Sequence, residues 1–336
     1  MASHLLNNAI LITGGAGFIG SNFISYFLGK YPKTNVINLD KLTYAGDIKN
    51  TAELAKNPNY TFVEGDICDT ELVSNLFHEH TISGVIHFAA ESHVDNSINS
   101  PIQFIKTNIE GTFTLLEVAR KFWNGNKNYR FHHISTDEVY GSLGMDGFFT
   151  EKSSYQPNSP YSASKASSDF IVRSYHHTYG MNVVTSNCSN NYGPRQHDEK
   201  LIPTIIKSAI KGLKIPIYGN GKNVRDWLFV EDHCKGIDVI YSNGVAGETY
   251  LLGGNNEFDN LTIADKICEI LDKKVPNKNG SYKNQIEFVE DRLGHDFRYA
   301  IDASKIQTDL GWKALESFES GLEKTVDWYL KKYQSK

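Results

Sequence analysis

Short apolar runs alternate with longer amphipathic stretches through the first half of the chain, and this alternation restricts the fold more than any other feature. The runs are AILIT (9–13), NVINLD (35–40), YTFVEGD (60–66), GVIHFAA (84–90), FHHIST (131–136) and MNVVTSN (181–187). Between them, FIGSNFISYFLGKY and IQFIKTNIEGTFTLLEVARKF carry apolar residues at helical spacing. Strands alternating with helices predict βαβ units and a parallel sheet covered on both faces. The expected fold class is therefore α/β: a Rossmann-type doubly wound parallel sheet with a smaller α/β substrate-binding C-terminal domain. After about residue 187 the texture changes to Asn, Gly and Pro punctuation, in NNYGPRQHDEK, PIYGNGKNVRDW and LLGGNNEFDN. We expect a first domain over 1–187, with a returning segment around 226–258, and a second domain over 188–225 and 259–336. The late amphipathic patterns LTIADKICEILDKK and SFESGLEKTVDWYLKKY predict packed surface helices.

A chain of 336 residues, 40% hydrophobic and 22% charged, is long enough for one large or two modest domains and is composed like a globular protein. A net charge of -5 without a long Lys/Arg run argues against nucleic acid or an anionic membrane as partner. Cys68, Cys188, Cys234 and Cys268 form no C-x-x-C pair, and the 12 histidines supply no H-x-x-x-H pair with supporting carboxylates. Neither a disulfide framework nor a metal site is expected. The start, MASHLLNNAILITGG, lacks a charged stretch followed by a long apolar one, and no run approaches the ~18 apolar residues of a membrane span. A cytoplasmic location without membrane attachment is expected.

ILITGGAGFIGSN places Gly14, Gly17 and Gly20 after a strand and at the start of a helix. Glycines there let the backbone turn tightly and approach a pyrophosphate, which then sits on the helix N-terminus. The next strand ends at Asp40, about 20 residues on, where a carboxylate accepts from the ribose 2′-hydroxyl of NAD and repels the 2′-phosphate of NADP. Asp66 ends the following strand and reads equally as an adenine contact or a helix N-cap, with Ile67 beside it.

SPYSASKASSDFI carries Tyr161 and Lys165 four residues apart. Helical spacing puts both on one face, a turn apart. An ammonium there is expected to lower the phenol from its reference pKa of about 10, making Tyr161 a base toward an alcohol. FHHISTDEVYG (131–141) runs from a buried-strand pattern into Thr136, Asp137 and Glu138, where like charges repel and strand propensity is poor. An arbitrary Asp-Glu pair is usually a solvated turn, but the carboxyl end of a strand in an α/β sheet is where ligands bind.

Together these stretches resemble the extended short-chain dehydrogenase/reductase family, whose nucleotide-sugar enzymes combine a TGGxGFIG loop, a YxxxK pair and an upstream Ser or Thr. Here those are TGGAGFIG (13–20), Tyr161 with Lys165, and Thr136. STDEVYG further resembles the nucleoside-diphosphate-sugar 4,6-dehydratases of that family, whereas the close 4-epimerases generally lack the Asp-Glu pair. An epimerase needs only alcohol oxidation and hydride return. A dehydratase must also eliminate water across C5 and C6, which calls for an acid on the 6-hydroxyl and a base on the C5 proton. The resemblance thus implies bound NAD, Tyr161 with Lys165 for the 4-hydroxyl proton, Thr136 hydrogen-bonding the 4-oxygen, Asp137 as acid and Glu138 as base.

It also implies cofactor contacts from Gly14, Gly17, Phe18, Ile19, Gly20, Asp40, Lys41, Leu42, Thr43, Asp66, Ile67, Ala89, Ala90, Ser92, Thr107, Tyr161, Lys165 and Asn191. The implied substrate positions, besides Thr136, are His93, Asn190, Lys200, Leu201, Pro216, Ile217, Tyr218, Arg225, Asn260, Asp291, Arg292 and His295. Arg225 and Arg292 have the planar fork that suits a diphosphate, with surface ion pairs as the plain alternative, and His93 and His295 read equally as structural histidines. The chain departs from the family pattern at Leu293, where proline is usual, and at Arg195, His197 and Asp198. These are expected on the nucleotide side and leave thymine or uracil open. The implied substrate is dTDP-glucose, with UDP-glucose as the alternative. A 4-epimerase and a non-catalytic NAD-binding regulator are the competing readings, and a regulator has no physical need for Thr136, Asp137, Glu138, Tyr161 and Lys165 together. A homodimer through helices on one face of the cofactor domain is expected.

Overall fold

The computed structural model describes residues 8–334. Strands form where the apolar runs stand: β1 (Ala9–Thr13), β2 (Val36–Asp40), β3 (Tyr60–Glu64), β4 (Ile82–His87), β5 (Arg130–Thr136) and β6 (Val183–Cys188). Shorter strands follow: β7 (Asn190–Tyr192), β8 (Ile215–Tyr218), β9 (Val224–Phe229), β10 (Thr249–Leu252), β11 (Glu257–Asp259) and β12 (Ile286–Val289). The main sheet has seven strands in the order β3-β2-β1-β4-β5-β6-β10, and every pairing in it is parallel. Every residue of β1, β2, β4, β5 and β6 is buried, as expected for strands covered on both faces.

Helices α1 (Phe18–Lys30), α2 (Thr70–Glu79), α3 (Val94–Asn99), α4 (Pro101–Phe104), α5 (Thr112–Trp123) and α6 (Pro160–Tyr179) belong to the first half; a π-helical turn, Ile105–Gly111, joins α4 to α5. Then come α7 (Leu201–Ile210), α8 (Val230–Asn243), α9 (Asn260–Lys274), α10 (Ser304–Leu310) and α11 (Phe318–Gln334). Alternate residues of β1 point to opposite faces. Ile10 and Ile12 pack with Phe23 and Phe27 of α1 and Ile237 and Tyr241 of α8, whereas Leu11 packs with Leu115 and Val118 of α5 and Val172 of α6. A third core joins Ile202 and Ile206 of α7, Ile263 and Ile267 of α9, and Leu322 and Val326 of α11. It lies against two small sheets, antiparallel β11/β9 extended by parallel β9/β7, and parallel β8/β12.

The strand order reverses between β1 and β4. Such a switch point opens a crevice outside the carboxyl ends of the strands, and ligands bind there. Thr13, His87 and Thr136 end the three central strands at this crevice.

Candidate active site

The loop after β1 leaves no room for a side chain at Gly14, Gly15 or Gly20. Gly14 has a φ of 73°, and a Cβ on it would stand 2.6 Å from the Ala89 nitrogen, while one on Gly20 would stand 2.4 Å from the Gly14 carbonyl oxygen. α1 begins at once, with Gly17 as its N-cap and no side chain accepting from its first turn, so free N–H groups face the crevice. At the end of β2, Asp40 accepts from the Ala16 N–H at 2.8 Å and from the Leu42 N–H at 2.8 Å, and burial raises its carboxyl above the ordinary value. Lys41 pairs with Asp66 at 2.7 Å. Asp69, not Asp66, caps α2.

One groove is lined by Gly14, Gly17, Phe18, Ile19, Gly20, Asp40, Lys41, Thr43, Asp66, Ile67, Ala89, Ala90, Ser92, Thr107, Tyr161, Lys165 and Asn191. Leu42 is not part of it: this residue takes a φ of 52° and serves Asp40 through its backbone. A glycine-rich loop, an uncapped helix start and a carboxylate at the end of β2 fit a dinucleotide. We predict that Gly20→Ala, which drives a Cβ into the Gly14 carbonyl, costs about 1–3 kcal/mol as overpacking and releases the nucleotide. Melting temperature and cofactor content after purification check both effects.

Where β5 ends, Thr136 turns the chain into a 3₁₀ turn, Asp137–Tyr140, and its hydroxyl accepts from the Glu138 N–H at 3.3 Å. Asp137 is 2% exposed, and its Oδ2 has no hydrogen-bond partner among the described residues. Burial first, then the Glu138 and Asp226 charges, push its carboxyl well above the usual range. Burial raises Glu138 too, but Lys200, Arg225 and Arg292 pull it back. Of the two adjacent carboxyls, Asp137 therefore holds a proton more readily.

α6 opens with a reciprocal Ser159–Ser162 capping box and Pro160 in its first turn, which fixes Tyr161 and Lys165 on a buried face at the crevice. Contrary to the expectation from spacing alone, the phenol is raised well above its ordinary value, by burial and then by Glu138. The Lys165 ammonium donates to the Ile134 carbonyl at 2.8 Å, and burial pushes it down to about 8. Asn108, in the π-helical turn beside Thr107, donates to Ser164 Oγ at 2.8 Å and to the Glu91 carbonyl at 3.0 Å, and accepts from the Glu91 N–H at 2.9 Å. This side chain ties α6 to the loop that carries Ser92.

A second groove adjoins the first, and Glu138, Asn190, Asn191 and Lys200 are among the residues that line both; His93, Leu201, Pro216, Tyr218, Arg225, Asn260, Arg292 and His295 are among its other lining residues. The Asn190 Oδ1 is buried without a partner among the described residues. Arg225 is 8% exposed and has no ion pair among the described residues. It donates to the Val224 carbonyl at 2.8 Å and the Asp296 carbonyl at 2.9 Å and stacks on Tyr299 at 4.2 Å, so carbonyl oxygens orient it without neutralising it. Arg292 pairs with Asp95 at 2.7 Å. His93 caps α3, its Nδ1 accepting from the Asn96 N–H at 3.3 Å, and burial lowers both His93 and His295.

Two expected substrate positions fall elsewhere. Ile217 is fully buried in the third core, because β8 alternates and this side chain faces inward. Asp291 stands outside the groove and holds His295 Nδ1 at 2.6 Å. The loop at 195–198 also serves differently from expectation. Arg195 donates to the Ser21 carbonyl and pairs with Glu53, and Asp198 pairs with Lys207 and Lys332, so both brace helices. His197 lines the first groove, edge-on to Tyr44 at 5.8 Å. Leu293 is 77% exposed. Sequence reasoning missed Ser159, Glu199, Trp227, Asp296 and Tyr299, all of which line the second groove. No spacing marks them, though a buried Arg225 implies an aromatic or carbonyl partner nearby.

The family described as GDP-mannose 4,6 dehydratase matches residues 11–325. The chain is 52% identical over 335 residues to the dTDP-glucose 4,6-dehydratase of Salmonella typhimurium, covering 96% of this chain and 92% of that protein. A dTDP-glucose 4,6-dehydratase from Bacillus anthracis str. Ames, solved in complex with NAD, superposes with a TM-score of 0.88 at 45% identity, covering 97% of each chain. One from Streptomyces venezuelae with NAD bound gives a TM-score of 0.89 at 43% identity, covering 97% and 98%.

Proposed function

The chain belongs to the family described as GDP-mannose 4,6 dehydratase, and from that membership we propose that it is an NAD-dependent hydro-lyase converting dTDP-glucose to dTDP-4-keto-6-deoxyglucose and water. The observation that carries this reading is the Asp137–Glu138 pair at the end of β5, in the wall of the cofactor groove. One carboxyl is strongly proton-retaining and its neighbour is surrounded by three cations. Alcohol oxidation alone has no use for such a pair. The relatives named above carry the same activity in their descriptions.

Bound NAD supplies reversible hydride acceptance, held by the loop at 14–20, Asp40 and the Ser92, Thr107 and Asn191 side of the groove. Tyr161 takes the proton of the sugar's 4-hydroxyl. Burial and Glu138 hold the phenol's own proton on, so this role needs the phenolate, which the Thr136 hydroxyl favours. With C4 a ketone, the C5 proton is acidified, and Glu138 removes it. Asp137 gives its proton to the 6-oxygen, which departs as water; C6 would then take back the hydride that left C4 while Glu138 returns a proton to C5, giving the 4-keto-6-deoxy sugar and leaving NAD oxidised again. Arg225, fixed by carbonyls rather than by a carboxylate, keeps its charge for the diphosphate, with Arg292, Lys200 and Asn190 along the same groove.

Incubation with dTDP-, UDP-, GDP- and CDP-glucose, followed by mass spectrometry, tests the reaction. Loss of one water from dTDP-glucose is the expected result, and loss from none of the four would overturn it. The exposed apolar side chains Ile102, Ile105, Phe113 and Phe170 around α4–α6 support a homodimer through this face. No helix among the described residues is long and apolar enough to cross a membrane, and a nucleotide-sugar substrate supports action in the cytoplasm.

A further inference from the structure

We propose that Asp169 is a positioning residue for the Tyr161–Lys165 pair: from the next turn of α6, its buried carboxylate braces the end of β5 and compensates the charge of Lys165. The proposal rests on reading Tyr161 and Lys165 as the pair that handles the 4-hydroxyl proton.

Asp169 follows Lys165 by four residues, as Lys165 follows Tyr161, so three titratable side chains share one buried face of α6. Its Oδ2 accepts from Ser135 Oγ at 2.9 Å, Tyr155 O–H at 2.9 Å and Asn187 Nδ2 at 3.2 Å. Its Oδ1 lies 3.1 Å from His133 Nε2. Ser135 immediately precedes Thr136, and Asn187 also donates to the Thr136 carbonyl at 3.0 Å. One carboxylate therefore joins β5 and β6 to α6 at the residues that set up the catalytic turn.

None of these partners neutralises it. Burial lowers His133 to about 4, so at neutral pH that ring is uncharged. Tyr155 and Tyr140, which faces Asp169 from the 3₁₀ turn, are raised by burial and remain phenols. Lys165 is faced by His87 on β4 and His133 on β5, both lowered by burial, and by Cys188 on β6, whose thiol burial raises. Its hydrogen bond goes to a neutral carbonyl. Among the groups acting on this ammonium, Asp169 is the carboxyl group, and it holds Lys165 upward against the desolvation that drives it down to about 8.

The sign follows. A lysine loses its charge as pH rises through its pKa, so removing the anion beside it moves that loss to lower pH. In purified protein carrying its cofactor, Asp169→Asn is expected to displace the alkaline limb of the kcat profile downward by about one pH unit, about a tenfold loss at fixed alkaline pH. KM for dTDP-glucose stays near wild type. Nitrogen NMR of lysine-labelled protein is expected to show Lys165 moving with the limb, without turnover. Ser135→Ala, which removes one brace and keeps the charge, leaves the limb in place. An unmoved limb and an unmoved Lys165 titration in Asp169→Asn would overturn the proposal. Should that variant not fold, Asp169→Glu preserves the charge on a longer arm and is expected to lower kcat without moving the limb; a displaced limb there also overturns it. If wild-type protein dehydrates none of the four nucleotide sugars, the functional reading fails instead, which the unsubstituted protein shows on its own.

Discussion

Tyr161→Phe is expected to lower kcat by about 10²–10⁴-fold, the range for loss of a positioned acid–base group. Melting temperature and NAD content stay close to wild type. The ring keeps its edge-on contact with Phe104 at 6.2 Å, and the Ser159–Ser162 box that starts α6 does not involve the phenol oxygen. Only the proton acceptor for the 4-hydroxyl is removed. Because that step precedes elimination, exchange of the C5 proton with solvent should fall along with product formation. Steady-state assay together with deuterium incorporation from heavy water checks this. A variant that retains C5 exchange would show that oxidation at C4 proceeds without Tyr161.

The second large effect separates the two carboxyls. Asp137→Asn removes the proton donated to the 6-oxygen but leaves the base, so water loss is expected to fall by about 10²–10⁴-fold while C5 exchange continues. Glu138→Gln removes the base, so exchange and water loss should fall together. The contrast derives from the environments, since burial and neighbouring carboxylates hold the Asp137 proton in place while Lys200, Arg225 and Arg292 act on Glu138. Identical behaviour of the two variants would mean that the roles are not divided in this way.

Much of the fold was legible because local and tertiary preferences agree. A buried parallel strand favours an apolar run, and the strand ending at Thr13 is one, whereas those ending at Asp40 and Thr136 also bury polar residues such as Asn38, His132 and His133. The small sheets were harder to read, since β7 and β11 have three residues each and take their conformation from the partner they meet. Spacing placed Tyr161 and Lys165 on one face of α6. The shift of the phenol was not legible, because it depends on Glu138, which belongs to another element. Arg225 shows the same limit, for a sequence names the charge but not the carbonyls that hold it. Ile217 was misplaced because family position does not say which way a strand residue points.

The order of the main sheet also bears on how the chain is made. β6 pairs with β5 on one side, and its outer edge pairs with β10, at Thr249–Leu252. Until the intervening residues are synthesised, a fully buried strand of the finished protein has an open edge of unpaired N–H and C=O groups, the kind of surface that invites pairing with another chain. A nascent chain stalled or truncated between β6 and β10 is thus the species of this protein most exposed to aggregation, and the one with most to gain from a chaperone.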